Sequence, residues 1–464
     1  MSRERLVVIG ADAGGMTAAS QARRRRPAGK LDIVAVDRGR HASYSACGIP
    51  YWIGGAVESA DDLVTRSVDE FRKQDIEVRL RQEAVGLDLD RGAVTVRDLD
   101  AGTDYTLGFD QLVLGLGAIP VRPDIPGTEA QGVYGVQTLD DGEAVRAAID
   151  RAGARRAVVV GGGYIGLEMA EAFVQRELEV TVVEAAPQPM STLDPDMGAL
   201  VAGAVEHLGI TLYRSEKVFE IRAGADGRVA AVVTDQREIP ADVVVLGLGV
   251  RPNSGLAGDA GITVGVTGGI VTDMRMRTLS HQQVWAAGDC VQTVNRVSLA
   301  PVHIALGTHA NKQGRVAGIN LGGGYATFPG VVGTAVTKVC SLEVARTGLR
   351  EADAERAGLR YVSTVVESTT RAGYFPGTQP ITTKLVAEKR SGRLLGAQIV
   401  GREGAAKRID VLATALWNEM TVEEISGLDL SYAPPFAPVW DPVLIAARKS
   451  WDAVELDVRD DHTS

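Results

Sequence analysis

Two stretches of this chain share one layout, and a chain that carries both has few folds open to it. Residues 5–10, RLVVIG, read as a buried strand, ADAGGMTAASQARRR has helical spacing, and DIVAVD closes a second strand on Asp37. Residues 157–173, AVVVGGGYIGLEMAEAF, repeat the pattern, and the strand EVTVVE ends on Glu184. Each is a βαβ unit, in which glycines let the turn tighten and the helix approach, while the helix N-terminus draws a pyrophosphate. The second turn has the full G-x-G-x-x-G at Gly161, Gly163 and Gly166; the first has Gly10, Gly14 and Gly15, with Asp12 in place of the middle glycine. Asp37 and Glu184 are placed to accept from a ribose hydroxyl. Ala185 and Ala186 offer no cation for a 2′-phosphate, which favours NADH over NADPH at the second unit. Two dinucleotides are expected, on an α/β fold with two Rossmann-like domains.

The repeat continues. VLGLG occurs at 113–117 and again at 245–249, each time ending a strand-like run, and VWAAGDC follows at 284–290. A chain of 464 residues exceeds the roughly 150 of one domain. The pattern divides it at 1–118, 119–249 and 250–327, with the outer two segments forming one nucleotide-binding domain. From 328 to 454 the nucleotide pattern stops, and TKVCSLEVARTGL, TTKLVAEKRSGRLLGAQIVG and a helical stretch over about 403–420 suggest a separate α+β domain, then a polar tail at 455–464. The balance of 49 basic and 59 acidic side chains argues against nucleic-acid or anionic-membrane binding. No run approaches a membrane span and no signal-type segment opens the chain, so a cytoplasmic protein is expected. Arg23 to Arg26 form a local basic patch with two readings, a helix end favoured by the dipole or an anion site.

The three cysteines are far apart, which excludes a disulfide framework and a CxxC metal cluster. Cys47 stands in SYSACGIPYWIGG, where a glycine and a proline dictate the backbone and the start of a helix would favour a thiolate. Next to two dinucleotide sites it reads as a redox centre. Cys290 and Cys340, in apolar strand-like contexts, read as structural.

On these motifs the chain resembles the flavoproteins of the pyridine nucleotide-disulfide oxidoreductase family. The resemblance implies FAD on the first βαβ unit, Asp289 of the GD dipeptide on its ribityl chain, and NADH on the second unit. Tyr164 would cover the nicotinamide pocket, and Glu168 would lie near the flavin edge. It also implies a homodimer in which the partner's C-terminal domain completes each active site. The pattern of Ser43, Cys47, Gly48, Pro50 and Tyr51 resembles the single-cysteine branch: coenzyme A-disulfide reductases, NADH oxidases and NADH peroxidases. Oxidases and peroxidases usually carry a histidine in the first glycine turn, where this chain has Ala13. The reductases have a small residue there, then a Ser-Gln-x-Arg-Arg stretch like Ser20, Gln21, Arg23 and Arg24. By that resemblance Gln21, Arg24 and Ser43 would contact coenzyme A.

SYAPPFAPVWDP resembles the family segment whose tyrosine reaches the partner's cysteine; Tyr432 matches it, and Tyr374 is a second candidate for the acid that protonates a leaving thiolate. The expected activity is NAD(P)H-dependent reduction of coenzyme A disulfide, or of polysulfide or persulfide, through a mixed disulfide at Cys47. The alternatives are an NADH oxidase or peroxidase cycling Cys47 through sulfenic acid, and a redox-sensing flavoprotein without turnover. The first VLGLG and Asp12 depart from the family pattern, His303 and His309 have no assigned role, and no rhodanese-like module is expected after residue 464.

Overall fold

The computed structural model describes residues 3–151 and 153–463. Two five-stranded parallel sheets carry the glycine turns. In the first, the order is Val284–Ala286, Gln111–Leu114, Glu4–Ile9, Leu31–Val36 and Glu77–Arg79. In the second it is Thr211–Arg214, Glu179–Glu184, Arg156–Val160, Val243–Leu246 and Val133–Tyr134. The central strands are near-continuous runs of valine, isoleucine and leucine because helices cover both faces of such sheets. The chain leaves the first sheet after residue 114 and returns to it at residue 284, building the second sheet in between. Each sheet has a three-stranded antiparallel companion, at residues 82–108 and 218–240.

The sequence repeat is a repeat of contacts. Gly10 and Gly161 both have positive φ, +103° and +99°. A Cβ on Gly10 would lie 2.1 Å from the Gly115 carbonyl oxygen, and one on Gly161 would lie 2.6 Å from that of Gly247, the equivalent position in the second VLGLG. The Gly115 N–H donates to Ile9 and the Gly247 N–H to Val160, each at 2.7 Å. The VLGLG segments thus form the floor beneath each turn.

Helix Ala13–Arg25 of the first unit crosses helix Gly307–Leu321 at two glycines: Cβ atoms on Gly314 and Gly318 would come within 2.3 Å of the Gly14 and Ala18 carbonyl oxygens. From Ala335 onward a five-stranded antiparallel sheet forms, ordered Ala335–Val339, Leu342–Gly348, Leu394–Gly401, Pro380–Glu388 and Tyr361–Thr369. Helices Ile409–Trp417 and Pro442–Thr463 pack on it. The helix expected over 403–420 is shorter, because Ala406–Arg408 is a 3-10 turn and Glu419, at φ +57°, has left the helix. Helix Pro442–Thr463 runs on through the segment read as a polar tail. Among the described residues no helix is long and apolar enough to cross a membrane.

Candidate active site

Both glycine turns are braced in the same way by the acid that ends the next strand. Asp37 accepts the Ala11 N–H on one carboxylate oxygen and the Gly39 N–H on the other, each at 2.7 Å. Glu184 accepts the N–H groups of Gly162 and Ala186, also at 2.7 Å. The lone pairs left on each carboxylate are those a ribose hydroxyl would use. No side chain caps helix Ala13–Arg25 at Asp12 or helix Tyr164–Gln175 at Gly163, so the first-turn N–H groups stay open to an anion. Cβ atoms on Gly15 and Gly166 would each sit 2.0 Å from the carbonyl oxygen that opens the turn, and one on Gly14 would sit 2.9 Å from the Ala287 carbonyl. These cradles fit two dinucleotides. The carboxyl of Asp289 is pushed up by burial, opposed by His303, whose Nε2 lies 2.8 Å from the Asp289 main-chain oxygen. It takes no hydrogen bond among the described residues, which suits a hydroxyl-rich chain such as the ribityl group.

Cys47 sits in the 3-10 turn Ala46–Gly48, leading into the short helix Ile49–Gly54. Gly48 has ordinary φ and lets Leu63 pack close, since a Cβ there would lie 2.3 Å from Leu63 Cδ2 and the leucine would have to shift. The loop before the cysteine is hung from the first glycine turn, with the Ser43 N–H donating to Ala11 at 2.8 Å and the Tyr44 N–H to Asp12 Oδ1 at 3.2 Å. The helix after it packs on helix Tyr164–Gln175, where Gly54 would place a Cβ 3.2 Å from Ala172 Cα. Cys47 is therefore fixed to both nucleotide units and is exposed to solvent.

Burial and the neighbouring acids work against the expected thiolate. Burial of the turn, then Glu168, Asp289 and Asp12, all push the Cys47 thiol up, and the turn's own N–H opposes them only in part. Glu168 is half-buried, not a free helix-surface acid: Thr337 Oγ1 donates to it at 2.6 Å, and burial raises its pKa. One turn on, Glu171 accepts the Cys340 N–H at 2.7 Å. Both acids tie the second nucleotide helix to the hairpin formed by Ala335–Val339 and Leu342–Gly348. Tyr164 packs against Thr192 and Arg346, and burial pushes its phenol up.

Cys290 is fully buried, its thiol donating weakly to Leu114 and Ala287, and burial lifts it to about 12; Cys340 is also lifted to about 12, at a hairpin tip with φ +62°. His309 is 9% exposed with Nδ1 unpartnered, and burial lowers its pKa.

The basic patch divides. Arg23 binds the carbonyls of Arg26, Leu31 and Asp75, Arg26 pairs with Glu4, and Arg25 donates to Gln21. Arg24 alone is exposed and without a partner among the described residues. Ser43 holds φ +51°, and its carbonyl accepts from Thr65 and Arg66. In the C-terminal domain the two tyrosine candidates come together: Tyr374 lies beside Tyr432 and pushes its phenol up, and both are on the surface. Arg408 holds their loops, donating to Thr370 at 2.9 Å, to Phe436 at 2.8 Å and to the Asp441 carboxylate at 3.0 Å. Sequence reasoning missed Arg408, Thr337 and Arg346, since none lies in a recognisable motif and each acts across a long sequence separation.

Comparison with known proteins agrees with this layout. Residues 4–314 match the family model described as pyridine nucleotide-disulphide oxidoreductase, and residues 334–442 match the dimerisation domain of the same family. The chain is 37% identical to an NAD(P)H sulfur oxidoreductase (CoA-dependent) of Pyrococcus abyssi, covering 96% of this chain and 98% of that one. It is 35% identical to an NADH oxidase of Methanocaldococcus jannaschii, with 96% and 98% coverage. The solved structure of an NAD-dependent persulfide reductase from A. fulgidus superposes with a TM-score of 0.94 at 40% identity, covering 97% of this chain and 83% of that one. With both nucleotide cradles, the cysteine between them and the dimerisation domain in place, the chain belongs to the pyridine nucleotide-disulphide oxidoreductase family and is an FAD-dependent NAD(P)H oxidoreductase.

Proposed function

We propose that the protein works as a homodimer that reduces a low-molecular-weight disulfide with NADH through a mixed disulfide at Cys47, with coenzyme A disulfide the leading substrate and polysulfide or persulfide next. The observation that carries this reading is a solvent-facing thiol that is fixed to both nucleotide units and forms no disulfide; Cys290 is sealed in the core and Cys340 is likewise free. FAD, when bound, supplies the route by which the electron pair of NADH reaches sulfur.

Cys47 attacks one sulfur of the substrate disulfide, an S–S bond forms as the original one breaks, and the first thiolate leaves. Tyr432 or Tyr374 of the partner subunit supplies its proton. Two electrons then cleave the mixed disulfide, releasing the second thiol and restoring Cys47. Gln21, Arg24 and Ser43 would bind the coenzyme A moiety, Arg24 through a phosphate. The Pyrococcus abyssi relative is named as CoA-dependent, which supports that assignment.

Replacing Cys47 by serine is expected to leave NADH reduction of the bound flavin intact while lowering disulfide reduction at least 1,000-fold. Retained disulfide reduction would overturn the mechanism. NADH-dependent oxygen consumption that disappears in Cys47→Ser would replace it with the alternative of an oxidase cycling Cys47 through sulfenic acid, the Methanocaldococcus jannaschii relative being named as an NADH oxidase.

A further inference from the structure

The segment that follows Glu184, residues 189–194, belongs to the nicotinamide unit by sequence and buries Met190 and Leu193 in that unit's core, but its polar groups at 191–194 are held by the dimerisation domain. Its Met190 N–H donates to the Gly162 carbonyl at 2.8 Å, so the segment reaches the second glycine turn directly. Pro189 lies so close to Gly162 that a Cβ there would stand 3.0 Å away. Thr192 lies against Tyr164, and the hydroxyls of both are buried without a completed hydrogen bond.

From the other domain, Arg350 donates to the Ser191 carbonyl and Arg346 to the Thr192 carbonyl at 3.2 Å. Gln398 makes a double hydrogen bond with Asp194, accepting its N–H at 2.7 Å and donating to its carboxylate at 2.6 Å. Beneath them Lys384 faces three carboxylates, Asp194 at 3.2 Å, Asp196 at 2.9 Å and Glu351 at 2.9 Å. The side chains of Lys384 and Asp194 are each only 3% exposed. Glu351 closes the ring, donating its N–H to Asp194 Oδ1.

A buried lysine matched to three acids is costly to assemble and contributes little net stability, whereas its loss leaves charge that water cannot reach. Such a cluster acts chiefly by specifying one geometry. Every hydrogen-bonding group it holds in residues 191–194 lies within a few residues of Pro189 and Met190, which touch the glycine turn.

We propose that Lys384, with Gln398 and Arg346, is a positioning group for the nicotinamide cofactor: it locks residues 189–194 against the dimerisation domain, and that segment in turn sets the Gly162 turn and the Tyr164 side chain. The dimerisation domain therefore shapes the NADH site of its own subunit. The inference requires NADH as reductant and is independent of the acceptor used at Cys47.

The test is equilibrium dialysis of NAD+ against the oxidised, FAD-loaded protein, alongside anaerobic reduction of the flavin at varied NADH concentration with no disulfide added. In Lys384→Met the dissociation constant for NAD+ and the NADH concentration at half-maximal rate are expected to rise about tenfold, with a maximal rate within about twofold of the unaltered protein. Lys384→Arg should restore most of the loss. Should Lys384→Met not fold, Asp194→Asn, which leaves two acids for the lysine but takes one acceptor from the Gln398 and Glu351 contacts, is expected to weaken NAD+ binding about threefold. Unchanged NAD+ affinity in a folded Lys384→Met or Asp194→Asn, even with a lowered melting temperature, would overturn the proposal and leave the cluster as domain glue. Because no disulfide is present, failure here is separable from failure of the Cys47 mechanism, which the Cys47→Ser assay reads.

Discussion

Around the sulfur of Cys47 the chain places acids: Glu168 from the second nucleotide unit, Asp289 after the GD dipeptide, and Asp12 in the first glycine turn. Negative charge disfavours a second anion. Burial of the turn acts in the same direction and is the larger cause, so the chain's own residues push the Cys47 thiol up. Asp12 is the most perturbed of the three acids, with its carboxyl lifted from the ordinary 3.8 to about 6 by burial and by Asp37 and Asp289, against the opposing hydrogen bond from Tyr44. Between those two values the native chain binds more protons than the unfolded chain, so this residue makes stability fall as pH rises through the window, and the penalty is complete above it. Asn at position 12 can still accept the Tyr44 N–H without the charge. The apo protein carrying Asp12→Asn is accordingly expected to be more stable than the unaltered chain above pH 6, by up to about 3 kcal/mol, with the difference vanishing below about pH 4. Denaturant melts at pH 4 and pH 8 check this; a difference of the same size at both would show that charge at this position is immaterial.

At the scale of elements, two kinds of junction matter. Where helix Ala13–Arg25 crosses helix Gly307–Leu321, Gly314 and Gly318 bring backbone against backbone, and the packing needs the absence of side chains. Where the loops at 370–374 and 432–441 meet, a single guanidinium spans them: Arg408 binds the carbonyls of Thr370, Phe436 and Gly404 and the carboxylate of Asp441, and its side chain and that of Asp441 are each only 12% exposed. Lysine keeps the charge, but its compact ammonium cannot reproduce the planar fork that meets these spread acceptors. Arg408→Lys is expected to loosen the Tyr374–Tyr432 pair and lower disulfide turnover about tenfold, while NADH reduction of the flavin stays within about twofold. Comparison of the two half-reactions by stopped flow checks it, and an equal loss in both would mean that Arg408 supports the whole fold and has no special bearing on the tyrosines.

At the scale of the molecule, the dimerisation domain leaves a cluster of large apolar residues at its surface. Tyr374, Phe436, Val439 and Trp440 are 79%, 75%, 67% and 52% exposed, and Tyr432 stands among them in sequence. Apolar exposure concentrated in one segment marks a surface that is covered in the working assembly. Phe436→Glu combined with Val439→Glu is expected to give a monomer by analytical ultracentrifugation, with disulfide reduction lowered at least 100-fold and NADH reduction of the flavin retained. A monomer with full disulfide turnover would show that one subunit suffices.

Sequence alone determined those parts of the protein whose physics is local. A glycine that must hold φ near +100°, a strand buried on both faces and an acid at the end of the strand after the glycine turn leave their marks within some thirty residues, so both nucleotide units, the VLGLG repeat and the attention due to Cys47 were legible. The α+β character of the C-terminal domain was legible for the same reason, from strand-like alternation and turn residues. What only the tertiary structure decided depends on residues brought together from far apart. The fate of the basic patch turned on Glu4 and Asp75, the state of Cys47 on Glu168 and Asp289, and the setting of residues 189–194 on Arg346, Lys384 and Gln398. Charge and desolvation act through space, and neither leaves a period or a spacing along the chain.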